Sequence, residues 1–396
     1  MANLNRSKEG AGGLILIVGA SARAAAFSAL RAGLVPVASD LFGDEDLRAV
    51  ARFVEPLGKY PFGFKAALLR MPEAPFLYTG GLENHGALVD QLARLRPLWG
   101  NDGSRLRRAR DLLILLRALK AAGLFPPETR KAARPPKDLE GWLRKPLRGS
   151  GGSGIEAASG RRKRVKTEPF YFQRMAPGKS YSAVFVGFED ESLLLGVTRQ
   201  LVGERWLHAR PFSWCGNLGP AALPEAVETS LMEAGAAIAR DFRLRGLFGL
   251  DFLLDGHVVR PVDLNPRYPG SVEILEHALG IQALALHAQA CVERRIPSME
   301  RPSRPSGFFG KAVVFAPRAL SAPKSLASLY PPDPKRFPQL ADLPLPGTRV
   351  PRGKPVLTVF ARAKEEGSCL DLLKKSAREA LRHFQPLEDA SYYRTK

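Results

Sequence analysis

Cysteine is scarce: the 396-residue chain has three, Cys215, Cys291 and Cys369, widely spaced and without a CxxC pair. That counts against a disulfide framework and a cysteine metal site, and fits a reducing cytoplasm. Long apolar runs are also missing. The longest, residues 12–20 and 112–116, fall well short of a membrane span, so no transmembrane helix is expected. The first apolar run follows two basic residues, as in a signal peptide. Glu9 precedes it, however, and it leads into a glycine turn and an alanine-rich helical pattern, so it reads as a buried strand. Acidic residues are the third shortage: 39 against 59 lysines and arginines leave a net charge of +20. Part of the surplus is clustered, at Arg105, Arg107, Arg108, Arg110 and Arg117, and again at Arg161, Arg162, Lys163, Arg164 and Lys166. A polyanionic partner and solvated basic faces both explain it. No zinc finger, RNA-binding signature or aromatic-interleaved basic motif occurs, which counts against nucleic acid.

The N-terminal third alternates strand and helix signals. Residues 14–18, LILIV, form a continuous apolar run bounded by glycines, followed by a helix ending near Gly33 and a second strand, VPVASD. A full GxGxxG is absent, so a tightly bound dinucleotide is not expected here. Ser21 and Arg23 are placed to hold a ligand anion at the helix N-terminus, with Asp40 facing the same crevice; a purely structural turn is the alternative. FLY at 76–78 and the glycine-rich turn after it repeat the unit, and Glu83 and Asn84 open its helix in either a capping or a substrate role. Residues 105–123 carry a strong helical pattern, and residues 131–137 read as a connector.

Two later stretches carry chemistry. Lys145 precedes GSGGSGI, where Gly149, Ser150, Gly151, Gly152 and Gly154 form a pliable loop whose backbone N–H groups can approach phosphates. The loop over residues 206–220 mixes His208 and Arg210 with large apolar residues, as a pocket wall does. Two strands meet around Pro177-Gly178, helices are expected over 224–243 and 271–294, and His277 and His287 read as packing residues. The second stretch spans residues 247–270, with two apolar runs around Asp255-Gly256 reading as a β-hairpin. Asp251 lies in its first strand, and Asp263 and Asn265 lie on one face of its second. These are hard oxygen ligands suited to Mg²⁺ held with phosphates, with Arg267 as a fixed positive charge beside them. A surface hairpin whose aspartates are solvated or paired with Arg260 and Arg267 is the alternative. Parity separates the two: a strict two-residue turn at Asp255-Gly256 sets Asp251 opposite Arg260, and only an extra turn residue or a bulge brings Asp263 to the same face.

With these motifs in place the sequence resembles the ATP-grasp superfamily, and within it the predicted ATP-dependent carboligases related to biotin carboxylase. GASAR, DLFGDEDL and GGLEN resemble the N-terminal lobe, RKPLRGSGGSGI the lysine and glycine-rich lid, QRMAPGKSYS the adenine-clasping segment, and GLDFLLDG with VDLNPR the metal hairpin. The resemblance implies mixed α/β and α+β architecture: a doubly wound domain over 1–105, a small lobe with the lid over 106–170, a large lobe with the hairpin over 171–300, and a β-rich appendage over 301–396. It also implies ATP and Mg²⁺, or Mn²⁺ in its place. Lys145 would hold phosphates, Gly149 to Gly154 would close over them, and Gln173, Arg174 and Met175 would line adenine. Asp251, Asp263 and Asn265 would hold the metal, and Arg267 would steady an acyl phosphate.

Two departures stand out. A family lysine is replaced by Leu112, with Arg110 beside it to take over the contact, and the second metal ligand is aspartate where glutamate is frequent. The implied reaction joins a small anionic carboxylate to an amine in the cytoplasm, with no membrane and a homodimer open, and a tetrahydromethanopterin or methanofuran setting as context. Arg23, Glu83, His208 and Arg210 are the substrate candidates. The alternatives are bicarbonate activation, for which no biotin-attachment MKM segment is present, and a degenerate nucleotide- or nucleic-acid-binding protein.

Overall fold

The structure, a computed structural model, describes residues 13–158, 169–299 and 307–387. The basic run at 161–166 lies outside them. Strands β1 (Leu14–Val18), β2 (Val35–Ser39), β3 (Phe53–Val54) and β4 (Phe76–Tyr78) form a parallel sheet in the order β3-β2-β1-β4. All five residues of β1 are buried. Ile15 and Ile17 face one core and Leu14, Leu16 and Val18 another, which is why the run is continuously apolar rather than alternating.

A four-stranded lid sheet follows, ordered β5 (Thr129–Lys131), β8 (Phe170–Arg174), β6 (Trp142–Pro146), β7 (Glu156–Ala157). The main sheet has eight strands in the order β13-β12-β9-β10-β11-β14-β18-β16. They are β9 (Lys179–Phe188), β10 (Glu191–Val202), β11 (Trp214–Gly219), β12 (Arg245–Asp255), β13 (Val258–Asn265), β14 (Phe308–Phe315), β16 (Leu340–Ala341) and β18 (Pro355–Ala363). The C-terminal strands thus extend the sheet that carries the hairpin. A small side sheet joins β17 (Arg349–Val350), β15 (Leu320–Ser321) and β19 (Gln385–Pro386).

Both faces of the main sheet are covered. Ala183 and Phe185 pack with the helix Glu225–Phe242, whereas Val184 and Val186 pack with Leu275, Leu284 and the N-terminal residues Ile15 and Ala25. Phe185 and Phe248 stack at 4.9 Å, each fully buried; a buried phenylalanine is worth about 1.5–3 kcal/mol.

Three expected elements differ. The helix over 105–123 is two helices, Gly103–Ala109 and Leu112–Ala121, because the Asp111 side chain accepts from Leu113 N and Ile114 N and starts a new helix. The helix over 271–294 is broken after Leu279, where Gly280 takes φ +66°. The loop over 206–220 contains β11 and a 3₁₀ turn, Arg205–Leu207. No helix among the described residues is long and apolar enough to cross a membrane.

Candidate active site

The site is built on β12 and β13. The turn residues are Gly256 and His257, one step later than the sequence reading, because Asp255 pairs with Val258. From there the strands run regularly to Phe252 opposite Pro261, and then Asp251 stands opposite Asp263. Val262 is the extra residue of a β-bulge, the parity shift on which the shared site depends. The bulge also serves a second group: the Val262 carbonyl accepts a hydrogen bond from Lys145 Nζ at 3.2 Å. The same ammonium donates to Gln173 Oε1 at 2.9 Å, so Lys145, buried on β6, is aimed across from the lid sheet at the hairpin.

A chain of polar contacts orders the carboxylates. Asn265 Nδ2 donates to Asp251 Oδ2 at 2.9 Å, and Arg267 Nη2 donates to Asn265 Oδ1 at 2.8 Å and to Glu83 Oε1 at 3.1 Å. Asp263 Oδ1 accepts from Arg110 Nη1 at 3.0 Å. Arg260 meets Asp255 instead, at 3.8 Å, so the surface-hairpin pairing does not form. Burial, and then the facing Asp263 charge, push the Asp251 carboxyl up to about 6 against the Ser182 and Asn265 hydrogen bonds. For Arg110 burial opposes the charge, but Asp263 and Glu83 outweigh it and raise the guanidinium above its usual range.

The glycine-rich loop closes over this chemistry. Gly151 O accepts from Trp214 N at 3.0 Å, and Gly149 O accepts from Arg110 Nη2 at 3.1 Å and Asn84 Nδ2 at 3.3 Å. Gly152 has φ +75°, and a Cβ there would lie 1.9 Å from the Phe212 carbonyl oxygen; no other residue type fits that approach.

Loop, hairpin and lid sheet enclose a cavity of about 1060 Å³. Lys145, Arg110, Gly149, Ser150, Gly151 and Gly152 line it, as do Gln173, Arg174, Met175, Asp251, Asp263, Asn265 and Arg267. Gly154 is not among the lining residues, although it packs beside Pro146, which is. Glu83 is hydrogen-bonded to the site through Arg267, its charge also acts on Arg110, and it lines a second groove.

The other substrate candidates fare differently. Arg23 borders the cavity, but its guanidinium is committed to Glu273 on both nitrogens and to Asp342 at 3.0 Å, with Asp46 at 3.8 Å. Asp40 is likewise occupied, accepting from the backbone of Ala22 at 2.8 Å and of Gly43 at 2.7 Å. His208 and Arg210 are exposed and outside the lining, although Phe212 and Trp214 just after them border the cavity. Sequence reasoning missed Ser182, the register partner of Asp251, and Lys311, which donates to Glu273 Oε2 at 3.1 Å. Lys311 carried a visible signal, a charge inside the apolar run GKAVVFA.

Two opposed carboxylates with an amide beside them are a hard-oxygen set that suits Mg²⁺ completed by phosphate oxygens and water. No group of three or more His, Cys, Asp or Glu poised to hold a metal occurs among the described residues.

Residues 109–271 match the family model described as ATP-grasp domain. An uncharacterized protein of Methanocaldococcus jannaschii is 24% identical over 274 residues, which cover 66% of this chain and 63% of that relative's length. Among solved structures, a biotin carboxylase from Campylobacter jejuni in complex with β,γ-ATP has a TM-score of 0.70 at 15% identity, covering 94% of this chain and 91% of its own. An L-amino acid ligase from Bacillus licheniformis has a TM-score of 0.67 at 13% identity, covering 95% and 98%. The fold is a mixed α/β ATP-grasp fold of the biotin carboxylase type.

Proposed function

We propose that the chain is an ATP-dependent, ADP-forming ligase that joins a carboxylate to an amine. The observation that carries the reading is convergence: Lys145, the Gly149–Gly152 backbone, Arg110 and the opposed Asp251 and Asp263 all border one cavity. In this reading Lys145 and the loop N–H groups hold the triphosphate, with Gln173 fixing the Lys145 ammonium. Arg174 and Met175 edge the adenine end. Asp251, Asp263 and Asn265 would hold Mg²⁺, which would supply charge neutralisation at the phosphate oxygens. Arg110 replaces the family lysine at Leu112, since it contacts both the glycine loop, through Gly149 O, and the metal hairpin, through Asp263.

A substrate carboxylate oxygen attacks the terminal phosphorus and ADP departs. Arg267, held by Glu83 and Asn265, faces the charge on the acyl phosphate. The amine then forms the C–N bond as the C–O bond to phosphate breaks, and the surplus proton leaves with phosphate. A glutamate-bearing acid of a one-carbon cofactor, of the tetrahydromethanopterin or methanofuran type, suits the basic surroundings. ADP release with pairs of acids and amines tests the reading, with bicarbonate in place of the acid as the carboxylase arm. Asp263→Ala should lower turnover by about 100-fold or more; a variant that kept full turnover refutes the assignment.

A further inference from the structure

A second groove of about 890 Å³ lies beside the nucleotide cavity, and nothing in the proposed nucleotide chemistry uses it. Its floor is apolar, made by Leu106, Leu112, Leu147 and Phe170. Its rim is mainly cationic, four basic side chains against one exposed acid, Asp111, with Arg144 paired to Glu156 at 3.1 Å. Arg107 is paired with Asp90 at 2.9 Å, but Lys131 and Arg148 line the groove as exposed cations with no ion pair among the described residues. At the inner end stands Glu83, 2% exposed. One of its oxygens holds Arg267; the other, Oε2, is buried with no hydrogen-bond partner among the described residues. A buried carboxylate oxygen left unmatched is costly, and its natural complement is an N–H donor.

The groove opens onto the reacting centre. Arg110 and Tyr171 line both it and the nucleotide cavity, and Asn84 and Arg110 both donate to Gly149 O, next to Arg148. An unmatched acceptor inside, an apolar floor and unpaired cations at the rim describe one kind of guest. We propose that this groove binds the amine co-substrate, and that this amine carries an anionic group joined to its nitrogen through an apolar spacer. The nitrogen sits at Glu83 Oε2, within the same constellation as Arg267, and the anion sits at Lys131 and Arg148. The inference rests on the ligase reading, and it places the amine on the side of the lid away from the Gln173–Met175 edge.

Calorimetric titration of the full chain, saturated with MgADP, tests it. The probes are 6-aminohexanoate and O-phosphotyramine, each with both ends, against hexylamine and hexanoate, which have one. At least one two-ended probe should bind saturably and about tenfold or more tighter than the one-ended pair. The double variant Lys131→Glu, Arg148→Glu should remove that advantage and leave MgADP binding unchanged. Glu83→Gln should abolish the preference for 6-aminohexanoate over hexanoate. If MgADP binds but no two-ended probe does, or if the double variant binds the probes as wild type does, the amine groove is overturned and the nucleotide site stands. If MgADP itself does not bind, the ligase reading falls and takes this inference with it.

Discussion

At the scale of single residues, the informative ones are polar groups where the surrounding pattern calls for apolar ones. Asp251 and Lys145 announced themselves this way, and the structure brings both to one cavity. Arg23 was equally conspicuous, but its partners lie 250 and 319 positions away, and no local pattern names them. His208 and Arg210 were chosen as polar groups among large apolar ones, with no periodicity to say which way they point. His287 illustrates the opposite case, a titratable group with a packing role. Its Nδ1 accepts from Leu247 N at 2.8 Å, and its Nε2 then donates to Trp99 O at 3.2 Å, which fixes the neutral ring. Burial lowers its pKa from 6.5 to about 4. The folded state therefore prefers the neutral form, and this contribution is present above pH 6.5 and lost as the pH falls toward 4. The difference corresponds to on the order of 3 kcal/mol. Unfolding free energies from urea titrations at pH 7 and pH 4.5 should show a drop in the wild type that is smaller by about that amount in His287→Gln.

At the scale of elements, the hairpin was legible because strand parity is a strict constraint: the residues needed on one face demanded an irregularity, and Val262 supplies it. Which residue would bulge was not legible, since that depends on what its carbonyl finds, here Lys145. The same parity rule means that the span between the turn and the aspartates can change length only in even steps without losing the opposed pair. The helix break at Arg110 and Asp111 was hidden by a periodic pattern that continues across it, although Asp111 is an ordinary capping residue. The lid was legible as glycine-rich, but not which glycine matters. Gly152 is the one whose positive φ and close approach to Phe212 leave no room for a side chain. Gly152→Ala should hold the lid off Trp214 and weaken MgADP binding by about tenfold. The unfolding midpoint should barely move, because the loop buries little; nucleotide titration followed by tryptophan emission checks both.

At the scale of the whole molecule, the N-terminal sheet, the main sheet and the C-terminal segment meet at Arg23. It reaches Glu273 and Asp342 from the helix Arg23–Arg31, while Lys311 on β14 shares Glu273. The charges of Arg23 and Lys311 hold the Glu273 carboxyl far below the usual carboxylate range despite its burial. Removing one member strands the others, so Arg23→Met should cost about 3–5 kcal/mol in denaturant unfolding. Compensation by Glu273→Met in the double variant would show that the loss comes from the unmatched charge. The alternating units of the first third were readable from periodicity. The tail reads as a β-rich appendage folded back on the middle domain, but that its strands join the hairpin's own sheet was not readable, because β14 and β18 are joined through a proline-rich stretch that carries no pairing signal. One guanidinium thus governs how freely this protein can be recombined. A chimera that imports the first eighty residues from a relative must bring matching acids on the other two parts, or it inherits a stranded ion at the seam.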